Sequence, residues 1–154
     1  MQSTMQDVPL STNQILERAR LYFGQRAIAS RLPDKSIQRS TYADLYRRAR
    51  QLASALADAG VRPGEAVATL MWNHAWHMEA YFGIPAAGAV LHTLNLRLSP
   101  EDLAYIIRDA GDRILIADDV LLPLVEKLKG LVGLERILVV PTRGMAVPAG
   151  YEDY

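Results

Sequence analysis

The sequence predicts an α/β fold in which a parallel-rich sheet is flanked by helices. Segments with apolar residues at helical spacing alternate with short apolar runs along most of the chain. These runs hold few charges and are bounded by turn residues, as strands buried on both faces are. Such an alternation requires right-handed crossovers, which place helices on both faces of a parallel sheet.

The first segment, residues 1–24, is expected to be a polar arm followed by a helix. Ser11 or Thr12 can cap this helix, with Gln14 placed for a capping box, and Gly24 is expected to end it in the left-handed conformation. The arm has no basic region followed by an apolar core, so we expect no signal peptide.

The second segment, residues 25–140, is expected to be a partial α/β subdomain. Two strand-like pieces, residues 27–30 and 36–40, flank a linker with turn chemistry, and this arrangement predicts a hairpin. Thr41, with Asp44 three residues later, predicts a capping box at the start of a helix with a continuous apolar face.

Four strands and three further helices complete this segment. The strands are predicted at residues 66–71, 90–94, 113–117 and 136–140, and the helices are predicted to begin near His74, at Ser99, and at Asp118 or Asp119. Pro85 is expected to kink the first of these helices or to end its regular hydrogen bonding. Ser99 is expected to cap the second, with Pro100 at the first helical position and Asp102 completing a capping box. The tail, residues 141–154, has no periodic pattern and is expected to be a connector.

The composition excludes several classes of protein. Lys and Arg together number 17 and so do Asp and Glu, and this balance argues against a nucleic-acid partner. There is no cysteine, which excludes disulfides and thiolate metal sites and fits a cytoplasmic location. Residues 80–96 carry no charge, but they are too few to span a membrane.

The motifs predict no catalytic, cofactor-binding or metal residue. The chain contains neither GxGxxG after a strand nor GxxxxGK[ST], so nucleotide binding by this chain alone is not predicted. His74, His77 and Glu79 are close in sequence, but Glu79 lies off the helix face that the histidines share, which favours structural roles over a metal site. No Ser/His/Asp triad or carboxylate pair can be assembled.

The candidates for lining a site are His92, Thr93 and Asn95. They lie at or after the end of a predicted parallel strand, where ligands bind in open α/β sheets. The alternative for His92, and the more frequent case, is a hydrogen-bonded structural histidine. Asn95 and Arg97 are expected to fix the elbow that follows through side-chain hydrogen bonds to the backbone.

Residues 79–102, which read EAYFGIPAAGAVLHTLNLRLSPED, resemble the N-terminal part of adenylate-forming acyl-CoA synthetases, especially medium- and long-chain fatty-acid–CoA ligases. The resemblance begins near Arg20 and includes the stretches SIQRSTYADLYRRARQLASAL, AGVRPGEAVATLMWN and DRILIAD. It implies that the fold is the first half of the family's large N-terminal domain.

The resemblance also implies a reaction. Members of that family activate a carboxylate with ATP and Mg²⁺ to an acyl-adenylate and then pass the acyl group to coenzyme A. Fatty acid, ATP and CoA are thus implied for the full-length enzyme. The family's phosphate loop, ribose-binding motif and catalytic lysine are expected beyond residue 154, so the resemblance places no catalytic residue in this chain. The leading hypothesis is an N-terminal fragment of a fatty-acid–CoA ligase that is inactive alone. The alternative is a truncated, non-catalytic interaction or dimerisation module of the same fold, for example a homodimer.

Overall fold

The computed structural model describes residues 11–154. The helices are α1 (Thr12–Phe23), α2 (Tyr42–Asp58), α3 (Ala75–Ala86), α4 (Pro100–Ala110) and α5 (Leu122–Lys129). The strands are β1 (Ala27–Arg31), β2 (Ile37–Thr41), β3 (Ala66–Leu70), β4 (Val90–Thr93), β5 (Ile114–Asp118), β6 (Arg136–Val140) and β7 (Glu152–Asp153). A 3-10 turn, Asp119–Leu121, precedes α5. The predicted polar arm and the question of a signal peptide concern residues 1–10, which lie outside the described residues.

Strands β3 to β7 form one parallel sheet in the order β4-β3-β5-β6-β7, and β1 pairs with β2 as an antiparallel hairpin. The predicted α/β class, the hairpin and the parallel sheet are therefore confirmed. The sequence did not predict β7, which pairs with β6 inside the tail.

Both faces of the sheet are buried because side chains alternate along each strand. On β5, Leu115 points to the face covered by α4 and α5, whereas Ile114 and Ile116 point to the face covered by α2 and α3. The helices contribute Leu103, Ile107, Val125 and Leu128 on the first face, and Leu52, Leu56, Ala80 and Ile84 on the second. No helix within residues 11–154 has the length and hydrophobicity that crossing a membrane requires.

The helices α2 and α3 approach each other closely at Gly83. A Cβ atom at this position would lie 2.8 Å from Leu52 Cδ2 and 2.9 Å from the carbonyl oxygen of Ala49. A glycine is required here by lack of space, since its neighbours include backbone that cannot move aside. The absence of a side chain at Gly83 thus sets the spacing of the two helices.

A buried carboxylate, that of Glu79, joins three parts of the chain. It accepts a hydrogen bond from Arg48 Nε of α2 at 2.6 Å and one from the Tyr154 hydroxyl at 3.2 Å. The bond to Glu79 raises the pKa of the Arg48 guanidinium, and burial raises the pKa of Tyr154. A buried charge without such partners would be strongly destabilising, so this ion pair fixes α2, α3 and the end of β7 relative to one another.

Most of the predicted helix starts are confirmed. Thr41 and Asp44 form the full capping box, and Ser99 caps α4 with Pro100 at its first position. One detail is wrong, because the Asp102 carboxylate accepts a bond from the Ser99 hydroxyl rather than from the Ser99 backbone N–H. Pro85 lies in the last turn of α3, which ends at Ala86. The Ala87 N–H still donates to the Gly83 carbonyl at 3.1 Å, so the proline does not end the helical hydrogen bonding at its own position.

The prediction that Gly24 adopts the left-handed conformation is wrong, since its φ is −51°. The chain instead turns tightly after α1, with the Arg26 N–H donating to the Phe23 carbonyl at 2.8 Å. A Cβ atom on Gly24 would lie 2.6 Å from the Arg20 carbonyl oxygen. Glycine is therefore needed here for close approach of the backbone and not for a positive φ.

The substitution Gly83→Ala is expected to lower the free energy of unfolding by about 1–3 kcal/mol, because the added methyl group overlaps Leu52 and the Ala49 carbonyl. The matched control is Gly130→Ala, at a glycine with φ −75° and no atom within 4 Å of its virtual Cβ, and it should stay within about 0.5 kcal/mol. Urea unfolding followed by circular dichroism measures both. Equal midpoints for the two variants would contradict the close approach of α2 and α3.

Candidate functional site

The carboxyl ends of β3 and β5 meet at a topological switch point. The chain leaves β3 for β4 on one side of the sheet and then crosses to β5 on the other side. A crevice opens outside the strands at such a point, and ligands bind there in open α/β folds. The crevice here has a volume of about 490 Å³, and its lining residues include Trp72, Asn73, His74 and Asp118.

Asp118 is the central polar group of this crevice. Its side chain is fully buried and accepts the Trp72 backbone N–H at 2.8 Å. His74 Nε2 lies 2.9 Å from Asp118 Oδ1 and 3.0 Å from Oδ2. The carboxylate therefore holds the loop after β3 against the end of β5.

His74 is the N-cap of α3, because its Nδ1 atom accepts the backbone N–H of His77 at 3.3 Å. An imidazole nitrogen that accepts a hydrogen bond carries no proton, so the proton of a neutral ring sits on Nε2 and is donated to Asp118. Both ring nitrogens of His74 are occupied in structural bonds, which agrees with the structural role favoured by the sequence. Trp76 adds an edge-to-face contact with the His74 ring, with centroids 5.4 Å apart.

His77 lies one turn further along α3 and is only 7% exposed. Its Nε2 atom is 3.1 Å from the Thr69 hydroxyl of β3, and its Nδ1 atom is buried without a hydrogen-bond partner of normal geometry among residues 11–154. Burial, together with the nearby His74, lowers the pKa of His77. The ring is therefore neutral at neutral pH.

Asp119 makes a second polar junction beside the crevice. Its carboxylate accepts bonds from the Thr142 hydroxyl and from the backbone N–H and Nε of Arg143. Burial opposes ionisation of Asp119, but these donors outweigh it and lower its pKa. The prediction that Asp118 or Asp119 caps the following helix is wrong, because both carboxylates are engaged by donors from other parts of the chain.

The three predicted site residues lie on and after β4, away from the crevice. His92 Nδ1 is 2.6 Å from the Asp112 carboxylate, which follows α4. Thr93 is exposed at the end of β4, and Asn95 accepts the backbone N–H of Arg97 at 3.1 Å, as predicted for the elbow. None of the three lines the crevice, and their role in lining a site stays a prediction.

The polar groups of the crevice do not fit a magnesium–triphosphate site. Within residues 11–154, no group of three or more His, Cys, Asp and Glu side chains is arranged to hold a metal ion. The carboxylates of Asp118 and Asp119 are already bound to protein donors. His74, His77 and Glu79 contact Asp118, Thr69 and Arg48 respectively, so they serve three separate junctions.

The sequence interpretation missed Asp118 as the group that organises the crevice. The sequence feature that could have indicated Asp118 is its position directly after a predicted buried strand. An acidic residue at the end of such a strand lies at the edge of the sheet where the loops meet. The order of strands in the sheet decides which loop faces it, and that order is not visible in the sequence.

Removal of the Asp118 carboxylate should destabilise the fold. In Asp118→Ala the Trp72 N–H and His74 Nε2–H lose their acceptor, and we expect the free energy of unfolding to fall by about 1–3 kcal/mol. Asp109→Ala, which removes an exposed carboxylate from α4, is the control and should stay within about 0.5 kcal/mol. Urea unfolding at neutral pH measures both, and an Asp118→Ala variant as stable as the control would refute the role of Asp118.

His77 should make stability depend on pH. Its pKa is lowered on folding, so between that pKa and about 6.5 the unfolded chain binds a proton that the folded chain does not. The contribution of the neutral His77 ring to the free energy of unfolding is thus fully present above about pH 6.5 and is lost as the pH falls. The variant His77→Gln does not titrate, so its deficit in free energy of unfolding relative to the parent should shrink from pH 7.5 to pH 5.5. A deficit that is independent of pH would contradict the lowered pKa.

A family profile for AMP-binding enzymes matches residues 16–149. A long-chain-fatty-acid–CoA ligase of Thermus thermophilus is 46% identical over 153 residues, which are 99% of this chain and 28% of that protein. A 3-methylmercaptopropionyl-CoA ligase of Ruegeria pomeroyi is 41% identical over 145 residues, which are 94% of this chain and 27% of that protein.

A crystal structure of the anthranilate CoA ligase AuaEII in complex with anthranoyl-AMP aligns with 88% of this chain and 27% of its own, at 35% identity and a TM-score of 0.75. The chain therefore spans little more than a quarter of the length of these relatives. The profile and the structural alignment each cover most of the chain. The chain belongs to the AMP-binding enzyme family.

Proposed function

We propose that the chain is the N-terminal part of an ATP-dependent fatty-acid–CoA ligase, where it forms the first half of the large domain. The observation that carries this proposal is the 46% identity to the Thermus ligase across 99% of the chain. A medium-chain-fatty-acid–CoA ligase of Ectopseudomonas oleovorans, 37% identical over 116 residues, supports the same substrate class.

The described residues indicate which part of the enzyme would supply the reacting groups. The full-length reaction would use ATP, Mg²⁺, a fatty acid and CoA, with the chain located in the cytoplasm. The charged groups at the switch point are held in structural bonds, so in this proposal residues 11–154 supply scaffold and the reacting groups come from the rest of the enzyme. The chain alone is then inactive.

A second candidate function is that of a non-catalytic association module, such as a homodimer. It is favoured by exposed apolar side chains of α1, since Ile15, Leu21 and Tyr22 are each more than half exposed. Exposed apolar surface often marks an interface. Sedimentation velocity at increasing protein concentration tests this candidate. A chain that stays monomeric at a concentration of roughly 100 μM would count against a specific dimer.

The ligase proposal predicts that this chain can replace its counterpart in the Thermus enzyme. We expect a chimera, with residues 1–154 in place of the aligned segment, to form acyl-CoA from a long-chain fatty acid, because the two segments are 46% identical over 153 residues. The measurement is CoA-dependent consumption of ATP with palmitate. The 154-residue chain alone should show no fatty-acid-dependent ATP–pyrophosphate exchange.

The control chimera carries Gly83→Ala, which should reduce the yield of folded enzyme through α2–α3 packing without touching any substrate. A folded chimera without ligase activity would contradict the proposal. Exchange by the isolated chain would contradict the assignment of the reacting groups to the rest of the enzyme.

A further inference from the structure

Strand β7 is only two residues long, yet tyrosine side chains attach it to the helices on both faces of the sheet. Tyr151, just before the strand, packs on the face covered by α4 and α5, and Tyr154, just after it, packs on the face covered by α2 and α3. A strand this short forms few backbone hydrogen bonds, so side-chain contacts must account for much of its attachment.

The two tyrosines contact carboxylates in different surroundings. The Tyr151 hydroxyl donates to Glu126 of α5, whose side chain is 57% exposed, and Lys129 Nζ lies 3.6 Å from the centre of the Tyr151 ring. The Tyr154 hydroxyl donates to Glu79, whose side chain is only 6% exposed. Contacts between exposed charged groups contribute little, whereas a buried carboxylate that loses a donor is strongly destabilised. The attachment at Tyr154 is therefore the stronger of the two.

Tyr154 lies at the carboxyl edge of the parallel sheet. The register pairs Asp118 of β5 with Val140 of β6, and Val139 of β6 with Asp153 of β7. The Tyr154 N–H donates to the Val139 carbonyl at 3.1 Å, so Tyr154 extends the ladder to the level of Asp118. Two strand spacings of about 4.8 Å each separate it from Asp118, which lines the crevice.

A chain that continues beyond Tyr154 leaves the sheet at the edge where open α/β folds bind their ligands. In the ligase proposal, the reacting groups come from the part of the enzyme that follows. The direction in which the chain leaves β7 then determines where those groups lie. Two contacts fix this direction, the backbone bond to Val139 and the hydroxyl bond to Glu79.

We propose that Glu79 is a positioning residue for the ligase reaction, which holds Tyr154 and thereby directs the following segment to the carboxyl edge of the sheet. The inference rests on the proposed function. Glu79 does not line the crevice, so it acts through Tyr154. Arg48 orients the carboxylate, since its Nε donates at 2.6 Å and its guanidinium carbon lies 5.9 Å from the centre of the Tyr154 ring.

A purely structural role for these contacts leads to a different expectation. The ion pair between Arg48 and Glu79 joins α2 to α3 whether or not the Tyr154 hydroxyl is present. A structural role would therefore leave the rate per folded enzyme unchanged when that hydroxyl is removed. A displacement of reacting groups by about 1 Å, in contrast, can lower a rate about 100-fold.

The experiment uses the chimera with the Thermus enzyme, in which the rest of that enzyme follows residue 154. Tyr154→Phe keeps the ring and removes the hydroxyl bond, and Glu79→Gln keeps the shape of the side chain and removes its charge. We expect each to lower kcat per folded enzyme about tenfold in fatty-acid-dependent ATP–pyrophosphate exchange. The KM for the fatty acid should change less than about threefold, because an effect on reacting groups alone appears in kcat.

The matched controls carry the same substitutions at the exposed contact. Tyr151→Phe and Glu126→Gln should leave kcat within about twofold of the parent chimera. The double variant of Tyr154→Phe and Glu79→Gln should lose no more activity than Glu79→Gln alone, because the two residues act through one bond. Tyr154→Phe removes a single hydroxyl group, so it keeps the test valid if Glu79→Gln does not fold.

Hydrogen–deuterium exchange provides a readout that needs no activity. Loss of the hydroxyl bond in Tyr154→Phe should speed exchange about tenfold in the residues that follow position 154, because the bond no longer opposes local opening. Exchange in β3 and β5 should stay unchanged. Tyr151→Phe should speed exchange in the following residues by less than about threefold.

The outcomes separate this inference from the ligase proposal. An active chimera in which Tyr154→Phe and Tyr151→Phe have equal kcat would overturn the positioning role and leave the ligase proposal intact. Faster exchange in Tyr154→Phe without a fall in kcat would identify the contact as structural, which also overturns the positioning role. A folded parent chimera without activity would overturn the ligase proposal and, with it, this inference.

Discussion

The arrangement at the switch point depends on one buried carboxylate, that of Asp118. It has no exposure to solvent, so its oxygens must be matched by hydrogen-bond donors. The Trp72 N–H and His74 Nε2 supply them, so the loop after β3 cannot move away from β5 without leaving buried polar atoms unpaired. Because His74 also caps α3, the same interaction sets where that helix begins, and with it the position of the crevice.

Polar groups elsewhere in the core follow the same logic. Glu79 is buried between α2 and α3 and is matched by Arg48 and Tyr154, and Asp119 is matched by Thr142 and Arg143. Each buried acid therefore links elements that are distant in sequence. Apolar packing accounts for the layers of the fold, but these buried hydrogen bonds and ion pairs determine how the loops and helix ends are positioned relative to one another. Asp112 is a partial exception, since one of its oxygens has no partner within residues 11–154.

The fold was largely predictable because its signals are local. Caps at Thr41 and Ser99 and the apolar runs of β3 and β5 depend on neighbouring residues, and they lie where the sequence placed them. The errors arose where a long-range partner competed with a local preference. Asp118 and Asp119 are good capping residues, but donors from the loop after β3 and from the tail hold them. Strand β7 pairs with the edge that β6 offers to the tail. The candidate crevice was predictable in principle from parallel strands, but its position depended on a strand order that the sequence does not reveal.

The three histidines differ in how far their ring nitrogens are engaged by protein bonds. A general base needs a ring nitrogen that is free, accessible and near the substrate. In His74 both nitrogens are engaged, and in His77 the ring is buried and bonded to Thr69. His92 keeps Nε2 unbonded within residues 11–154, but its Nδ1 contacts Asp112 and its side chain does not line the crevice. Arg31 and Asn73 line the crevice and form no side-chain hydrogen bond within residues 11–154. They can bind a ligand through charge and hydrogen bonding but cannot serve as acid or base at neutral pH.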